Sequence, residues 1–226
     1  MNDEKTPKLS HNVVIEYPSC GEITLQSVYA VHESWCKRAE TQTKKWWAEN
    51  IKEDWNILDI GAQVGMYSVL FSKKAPKGKI YCFEPTDSRK ILQKNLEFVG
   101  AKNCELFPYA VGNRSGKVKD FVHMLWRRIK LEQNFDFITV DDFVENNKIE
   151  KLNGIKIDTD GYDPEVLYGC EKTLKKFDLS IIVELNPGAL AMRGHTPKQA
   201  VEFMTSVGYE LKEVLDSENY LFERKK

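Results

Sequence analysis

Short unbroken apolar runs alternate along this chain with longer stretches in which apolar residues recur every third or fourth position. The first pattern is that of strands buried on both faces, the second that of helices with one buried side. Asn12–Tyr17 (NVVIEY) and Glu22–Ala30 (EITLQSVYA) flank the turn signal Pro18–Gly21 and predict a hairpin. Glu33–Ile51, carrying Trp35, Trp46 and Trp47, predicts a helix over at least its second half, with the tryptophans on the core. Asn56–Ile60 is an apolar strand, Val64–Lys74 a helix with Met66, Val69 and Leu70 on one side, and Lys79–Glu84 a second strand. Asp87 caps a helix that runs to Val99 and stops at Gly100. Cys104–Val111 reads as a third strand running into a turn at Gly112–Gly116. Lys117–Met124 is a strand or an extension of that turn, Leu125–Asn134 shows no clear period, and Phe135–Val140 is extended. Asp141 and Asp142 cap a short helix to Asn147. A buried strand at Gly154–Asp158 precedes a helix over Pro164–Lys176, started by Asp163 and Pro164. Leu179–Glu184 is a strand, Thr196 and Pro197 start a helix that Gly208 stops, and Tyr209–Val214 with Tyr220–Glu223 closes the chain as a strand pair.

Strands thus alternate with helices from about residue 55 to 208. That order predicts an α/β fold with a mostly parallel, doubly wound sheet and a C-terminal antiparallel strand pair. The hairpin and helix of residues 1–52 read as an N-terminal extension of the same domain as residues 53–226. Ligands of such sheets bind at the carboxyl ends of the strands. The polar oddities of the sequence fall there: Asp59 and Gly61, Glu84 and Pro85, Tyr109 and Ala110, Asp158 and Asp160, Glu184 and Asn186.

Composition narrows the partners. At 226 residues, 42% hydrophobic and 30% charged, the chain can bury a sizeable core. A formal net charge of -1 gives no electrostatic case for nucleic acid or an anionic membrane. No apolar run reaches the ~20 residues of a membrane span, and the polar start MNDEKTPKLS lacks a signal-peptide core. The 5 cysteines are scattered and never form a C-x-x-C pair, which reads as reduced thiols in a cytoplasmic protein.

The glycine turn after the first core strand narrows the chemistry. Dinucleotide sites use G-x-G-x-x-G, whose middle glycine admits a pyrophosphate. Here the turn is Asp59-x-Gly61-x-x-x-Gly65, with Gln63 in the middle position, and no G-x-x-x-x-G-K-[ST] occurs. A turn of this kind, followed by an acid at the end of the second strand, suits a nucleoside cofactor without phosphates: S-adenosylmethionine. The stretch LDIGAQVGMYSVLFSKKAPKGKIYCFEP resembles the opening of the FkbM-type methyltransferase family. The later pieces follow in the same order: Ala110-Val-Gly112, ITVDDF at 138–143, IKIDTDGYDPEVLYG at 155–169 and IVELNP at 182–187. The resemblance spans about residues 55 to 190 and implies a Rossmann-like class I fold. It also implies S-adenosylmethionine-dependent O-methylation of a sugar, glycan or hydroxylated small molecule. The family usually has Asn where Gln63 stands and often Glu where Asp160 stands.

Roles follow from these positions. Asp59 orients the turn and the cofactor's amino group; Gly61, Ala62, Gln63 and Gly65 form the turn; Glu84, followed by Pro85, takes the ribose hydroxyls. Tyr109, Ala110 and Val111 lie where adenine would sit, or are strand core. Asp158 and Asp160 stand beside the methyl position, with Asp160 or a neighbour as base, or they hydrogen-bond loops and cap a helix. Asp158, Glu184 and Asn186 could also hold a hard divalent cation such as Mg²⁺. His195 is a base candidate or a surface-loop histidine. His123, Arg127 and Arg128 would bind an anionic sugar or phosphate, or form a solvated face. The expected partner is a small-molecule or carbohydrate acceptor, with no nucleic acid and no membrane span. A homodimer could form through the hairpin or the aromatics near Trp126. A methyltransferase acting on RNA or protein, and a non-catalytic binding module, are the competing readings.

Overall fold

The computed structural model describes residues 9–30, 32–33, 36, 39–124 and 129–226. Trp35, Trp126, Arg127, Arg128 and the side chain of His123 lie outside the described residues. The hairpin is present as β1 (His11–Tyr17) and β2 (Gly21–Ser27), paired antiparallel with Val13 opposite Leu25. Helix α1 (Thr41–Asn50) follows, and its Trp47 is fully buried against Phe71, the ring centroids 4.9 Å apart.

Next come β3 (Ile57–Ile60), α2 (Met66–Lys74), β4 (Ile80–Phe83), α3 (Ser88–Val99) and β5 (Cys104–Phe107). After a short strand β6 (Ala110–Val111) come β7 (Gly116–Met124), β8 (Ile129–Ile138) and α4 (Val140–Asn146). The last third holds β9 (Gly154–Ile157), α5 (Asp163–Tyr168), α6 (Glu171–Lys176), β10 (Ser180–Glu184), α7 (Pro187–Ala191), α8 (Pro197–Ser206), β11 (Tyr209–Leu215) and β12 (Asn219–Arg224).

Seven strands form one sheet in the order β11-β12-β10-β9-β3-β4-β5. β3, β4, β5, β9 and β10 are parallel, while β12 runs antiparallel beside β10 and β11. β3, β4 and β9 are buried at every position, as their unbroken apolar runs require. Ile155 and Ile157 face one core layer, with Phe143, Val166 and Leu174, while Ile57, Trp47 and Phe71 fill the other. This is the doubly wound α/β architecture with its antiparallel closing pair.

Four local expectations need correction. The run Cys104–Val111 is two strands: Pro108 has no N–H to continue the ladder. The chain leaves β5, and β6 pairs in parallel with β8, Ala110 opposite Phe137. Of the segment without a clear period, residues 125–128 lie outside the described residues, while residues 129–134 belong to β8, which pairs antiparallel with β7 from Gly116/Phe137 to Met124/Ile129. With β6 they make a separate three-stranded sheet. The helix expected over Pro164–Lys176 breaks into α5 and α6 at Gly169 and Cys170, and a Cβ at Gly169 would stand 2.1 Å from the Gly112 carbonyl oxygen, so only glycine fits at the break. Finally, Thr139 rather than Asp141 or Asp142 caps α4, its hydroxyl accepting from Asp142 N at 2.9 Å. Asp141 caps α6 from outside, accepting from Lys172 N and Thr173 N.

Candidate active site

Adjacent strands lie ~4.8 Å apart. The carboxyl ends of β10, β9, β3 and β4 therefore present Glu184, Asp158, Gly61 and Glu84 in a row. A cavity of about 360 Å³ lies along this row, within the size range of small-molecule sites. Its lining includes Asp59, Gly61, Ala62, Gln63, Glu84, Pro85, Tyr109, Ala110, Val111, Asp158, Asp160, Glu184 and Asn186. The fold thus brings nearly all the sequence-predicted positions together. Gly65 shapes the turn without lining the cavity. Phe137 of β8 and Tyr162 line it too, so the three-stranded sheet contributes to its wall.

The turn after β3 is built for close approach. Gly61 has φ +83°, and a Cβ there would sit 1.7 Å from the Asp158 carbonyl oxygen. Gly65 has φ +100° at the start of α2. Gln63 also has positive φ, +49°, a conformation that Asn adopts more readily than most residues. The Gly61 and Ala62 N–H groups both donate to the Phe83 carbonyl, tying the turn to β4. Gln63 N donates to Glu84 Oε2 at 3.0 Å. Glu84 Oε1 accepts from the Thr86 N–H at 2.9 Å and its hydroxyl at 2.5 Å. Burial pushes the Glu84 carboxyl up, against these hydrogen bonds, which favour its ionised form. Each carboxylate oxygen keeps further acceptor capacity for ribose hydroxyls. A glycine cradle beside a fixed, buried carboxylate fits an adenosyl group without phosphates. Asn95 holds this region to the hairpin, its amide accepting from Gln26 N and donating to Gln26 O and Val64 O.

Beneath the turn lies a group the sequence reading missed. Lys156, 1% exposed, lies level with Asp59 in the β3–β9 register. Its Nζ bonds Asp158 Oδ2 at 2.8 Å and stands 4.4 Å from the Tyr67 ring centroid. Burial alone would pull this ammonium down; the carboxylates of Asp158, Glu40 and Asp59 outweigh it and hold it above its ordinary value. Asp59 is buried as well and accepts from the Ser68 hydroxyl at 2.5 Å. Its carboxyl is pushed up to about 6, mainly by burial, with Lys156 opposing. Glu40, the residue before α1, is pushed up to about 7 by burial, again with Lys156 opposing. The signal for Lys156 was a lone lysine inside the apolar run Gly154–Ile157. Asp163 starts α5 as expected and has a second task in the site. It accepts from Thr159 N, Thr159 Oγ1 and Gly161 N, and so shapes the loop that carries Asp160 at φ +52°.

Asp158, Asp160 and Glu184 do converge, with carboxylate oxygens all within 4.8 Å of one another. The donor set nevertheless does not fit a resident divalent cation, which prefers six or more oxygens. Asp158 is already paired with a buried ammonium. The Asn186 amide oxygen accepts from Ala189 N at 2.9 Å as the cap of α7, and its Nδ2 donates to Glu218. Burial raises the Glu184 carboxyl well above its usual range, reinforced by Asp158, Asp163 and Glu40.

His195 is not among the cavity's lining residues; its Nε2 lies 3.1 Å from Glu165 Oε1. The same carboxylate bonds Arg193 Nε at 3.3 Å. The Arg193 guanidinium stacks 3.5 Å from the Tyr162 ring centroid and pairs with Asp120 of β7 at 3.6 Å. The Tyr162 hydroxyl also donates to Asp120. This network straps the β7–β8 hairpin to the loop after α7.

Residues 59–211 match the methyltransferase FkbM domain. Hexuronic acid methyltransferase AglP of Haloferax volcanii is 26% identical over 172 residues, 73% of this chain and 70% of that protein. The crystal structure of methyltransferase FkbM from Methylobacillus flagellatus KT superposes with a TM-score of 0.53 at 12% identity. That match covers 77% of this chain and 44% of the other. A precorrin-6y C5,15-methyltransferase from Geobacter metallireducens GS-15 gives a TM-score of 0.52 at 14% identity, over 83% and 88% of the two chains. The fold of these structures, the glycine turn against Glu84 and a domain match over most of the chain agree: the protein belongs to the FkbM family of S-adenosylmethionine-dependent methyltransferases.

Proposed function

We propose that this protein transfers a methyl group to a hydroxyl oxygen of a sugar or other hydroxylated small molecule. The observation that carries the reading is one cavity joining the Gly61–Glu84 cofactor end to the carboxylates at the ends of β9 and β10. The relative named as a hexuronic acid methyltransferase points to a carbohydrate acceptor. S-adenosylmethionine, when bound, supplies an electrophilic methyl group on a sulfonium.

The protein's own residues have three tasks. Gly61 leaves room at the turn, and Glu84, preset by Gln63 N and Thr86, takes the ribose. Tyr109, Ala110 and Val111 flank the adenine end, while Phe137 and Tyr162 wall the cavity. At the β9–β10 end a carboxylate accepts the hydroxyl's proton as the oxygen attacks, the positioning and base work that O-methylation asks of a protein.

The test is calorimetric titration with S-adenosylmethionine, followed by transfer of labelled methyl to hexoses, hexuronic acids, nucleotide sugars, glycans and phenols. Binding with transfer to a hydroxyl is expected. Absence of binding at millimolar cofactor, or transfer only to RNA or protein, would overturn the reading.

A further inference from the structure

We propose that Glu184 is the catalytic residue that takes the acceptor's proton. This rests on the hydroxyl-acceptor reading above.

The argument is one of commitments. The other acids lining the cavity are engaged: Asp59 by Ser68, Glu84 by Gln63 and Thr86, Asp158 by Lys156, Glu218 by Asn186, and Asp160 has an interaction of its own as well. Asp163, just behind them, is held by Thr159 and Gly161. Glu184, last residue of β10, lines the cavity and makes no side-chain hydrogen bond among the described residues. Its carboxyl lies within 4.8 Å of those of Asp158 and Asp160, so it shares the β9–β10 end with them. A carboxylate fully occupied by protein donors is a poor base, since those donors stabilise the anion; one without them retains its proton affinity.

The groups that set its proton affinity come from every neighbouring element. Asp158 and Lys156 belong to β9 and its end, Asp160 to the following loop, Asp163 to α5 and Glu40 to the N-terminal layer, and Asn219 of β12 stands opposite Glu184 in the sheet. The carboxylates outnumber the single ammonium, and burial adds to their effect. In the step itself the acceptor oxygen forms its bond to the methyl carbon while its proton passes to the Glu184 carboxylate. The carbon–sulfur electron pair stays on sulfur, which leaves as a neutral thioether, and the proton is later lost to water.

This assignment couples the base to the methyl donor. A sulfonium in the cavity favours ionised Glu184, whereas the thioether product carries no such charge. Binding S-adenosylmethionine therefore drives off more proton than binding S-adenosylhomocysteine does. Calorimetry at several pH values, in two buffers of different ionisation enthalpy, measures this for each ligand. Wild type is expected to release more proton with the sulfonium ligand at one or more of these pH values. Glu184→Gln loses that excess while still binding both ligands, and Glu184→Asp retains part of it.

Equal release in wild type, or an unchanged excess in Glu184→Gln, overturns the assignment. So does loss of binding by both variants, which would make Glu184 a cofactor contact. Failure of wild type to bind cofactor at all would instead strike the proposed function, so the two failures are distinguishable.

Discussion

Lys156→Met removes the buried ammonium beneath the cavity and nearly preserves the side chain's length. The Lys156 side chain is 2% exposed and its partner Asp158 is 22% exposed, with the two bonded at 2.8 Å. Breaking a buried pair by deleting one partner costs about 3–5 kcal/mol, because the other charge stays behind uncompensated. Asp158 reaches some water, so the low end applies, ~3 kcal/mol. For a chain of 226 residues that is a fall in melting temperature of roughly 6–12 °C.

The pH dependence has a definite sign. Asp59 at about 6 and Glu40 at about 7 already sit above their unfolded values. Without Lys156 they rise further. Acids raised in the folded state are not penalised while protonated, and they oppose folding increasingly as pH climbs from their unfolded values to their folded ones. The deficit of Lys156→Met is therefore largest above neutral pH and shrinks as pH falls toward about 6. Thermal melts of wild type, Lys156→Met and Lys156→Met/Asp158→Asn across this range check it. The double variant should recover stability, since neither charge remains. A deficit within ~0.5 kcal/mol of zero at pH ~8, or one that grows on acidification, would refute the electrostatic account.

Glu84→Ala should abolish measurable S-adenosylmethionine binding in calorimetry while leaving the fold intact by circular dichroism. Each lost hydrogen bond to a charged group is worth ~1.5–3 kcal/mol, or more than tenfold in affinity. Arg193→Met removes the stack on Tyr162 and the pairs to Asp120 and Glu165. Hydrogen exchange over residues 116–138 should speed up at least tenfold, with cofactor affinity changed less than about threefold, since Arg193 lies outside the cavity lining. Methyl transfer should be unchanged by EDTA, because the donor set at the ends of β9 and β10 does not fit a resident cation; loss of activity restored by Mg²⁺ would reverse that.

Much of this site could be read from the chain. Unbroken apolar runs specify strands buried on both faces, and the residues that interrupt them at their carboxyl ends mark a ligand ledge. Asp59, Gly61, Glu84 and Asp158 were legible because their positions follow from local pattern and the general topology of such sheets. Three things were not. Lys156 looked like an ordinary polar residue within a strand; only pairing of β9 with β3 sets it beside Asp59 and under Asp158. The β7–β8 hairpin has mixed polar and apolar residues because it forms its own small sheet. Its place at the cavity depends on Tyr162 and Arg193, residues remote in sequence. His195 fitted the chemistry by residue type alone, and the loop after α7 turns it onto Glu165. The sequence by itself determined the strand–helix order, the glycine turn and hence the kind of cofactor, because local sterics and periodicity govern these. The tertiary structure decided which carboxylates are committed and which, like Glu184, remains open, because a buried charge is defined by its partners and those come from distant parts of the chain.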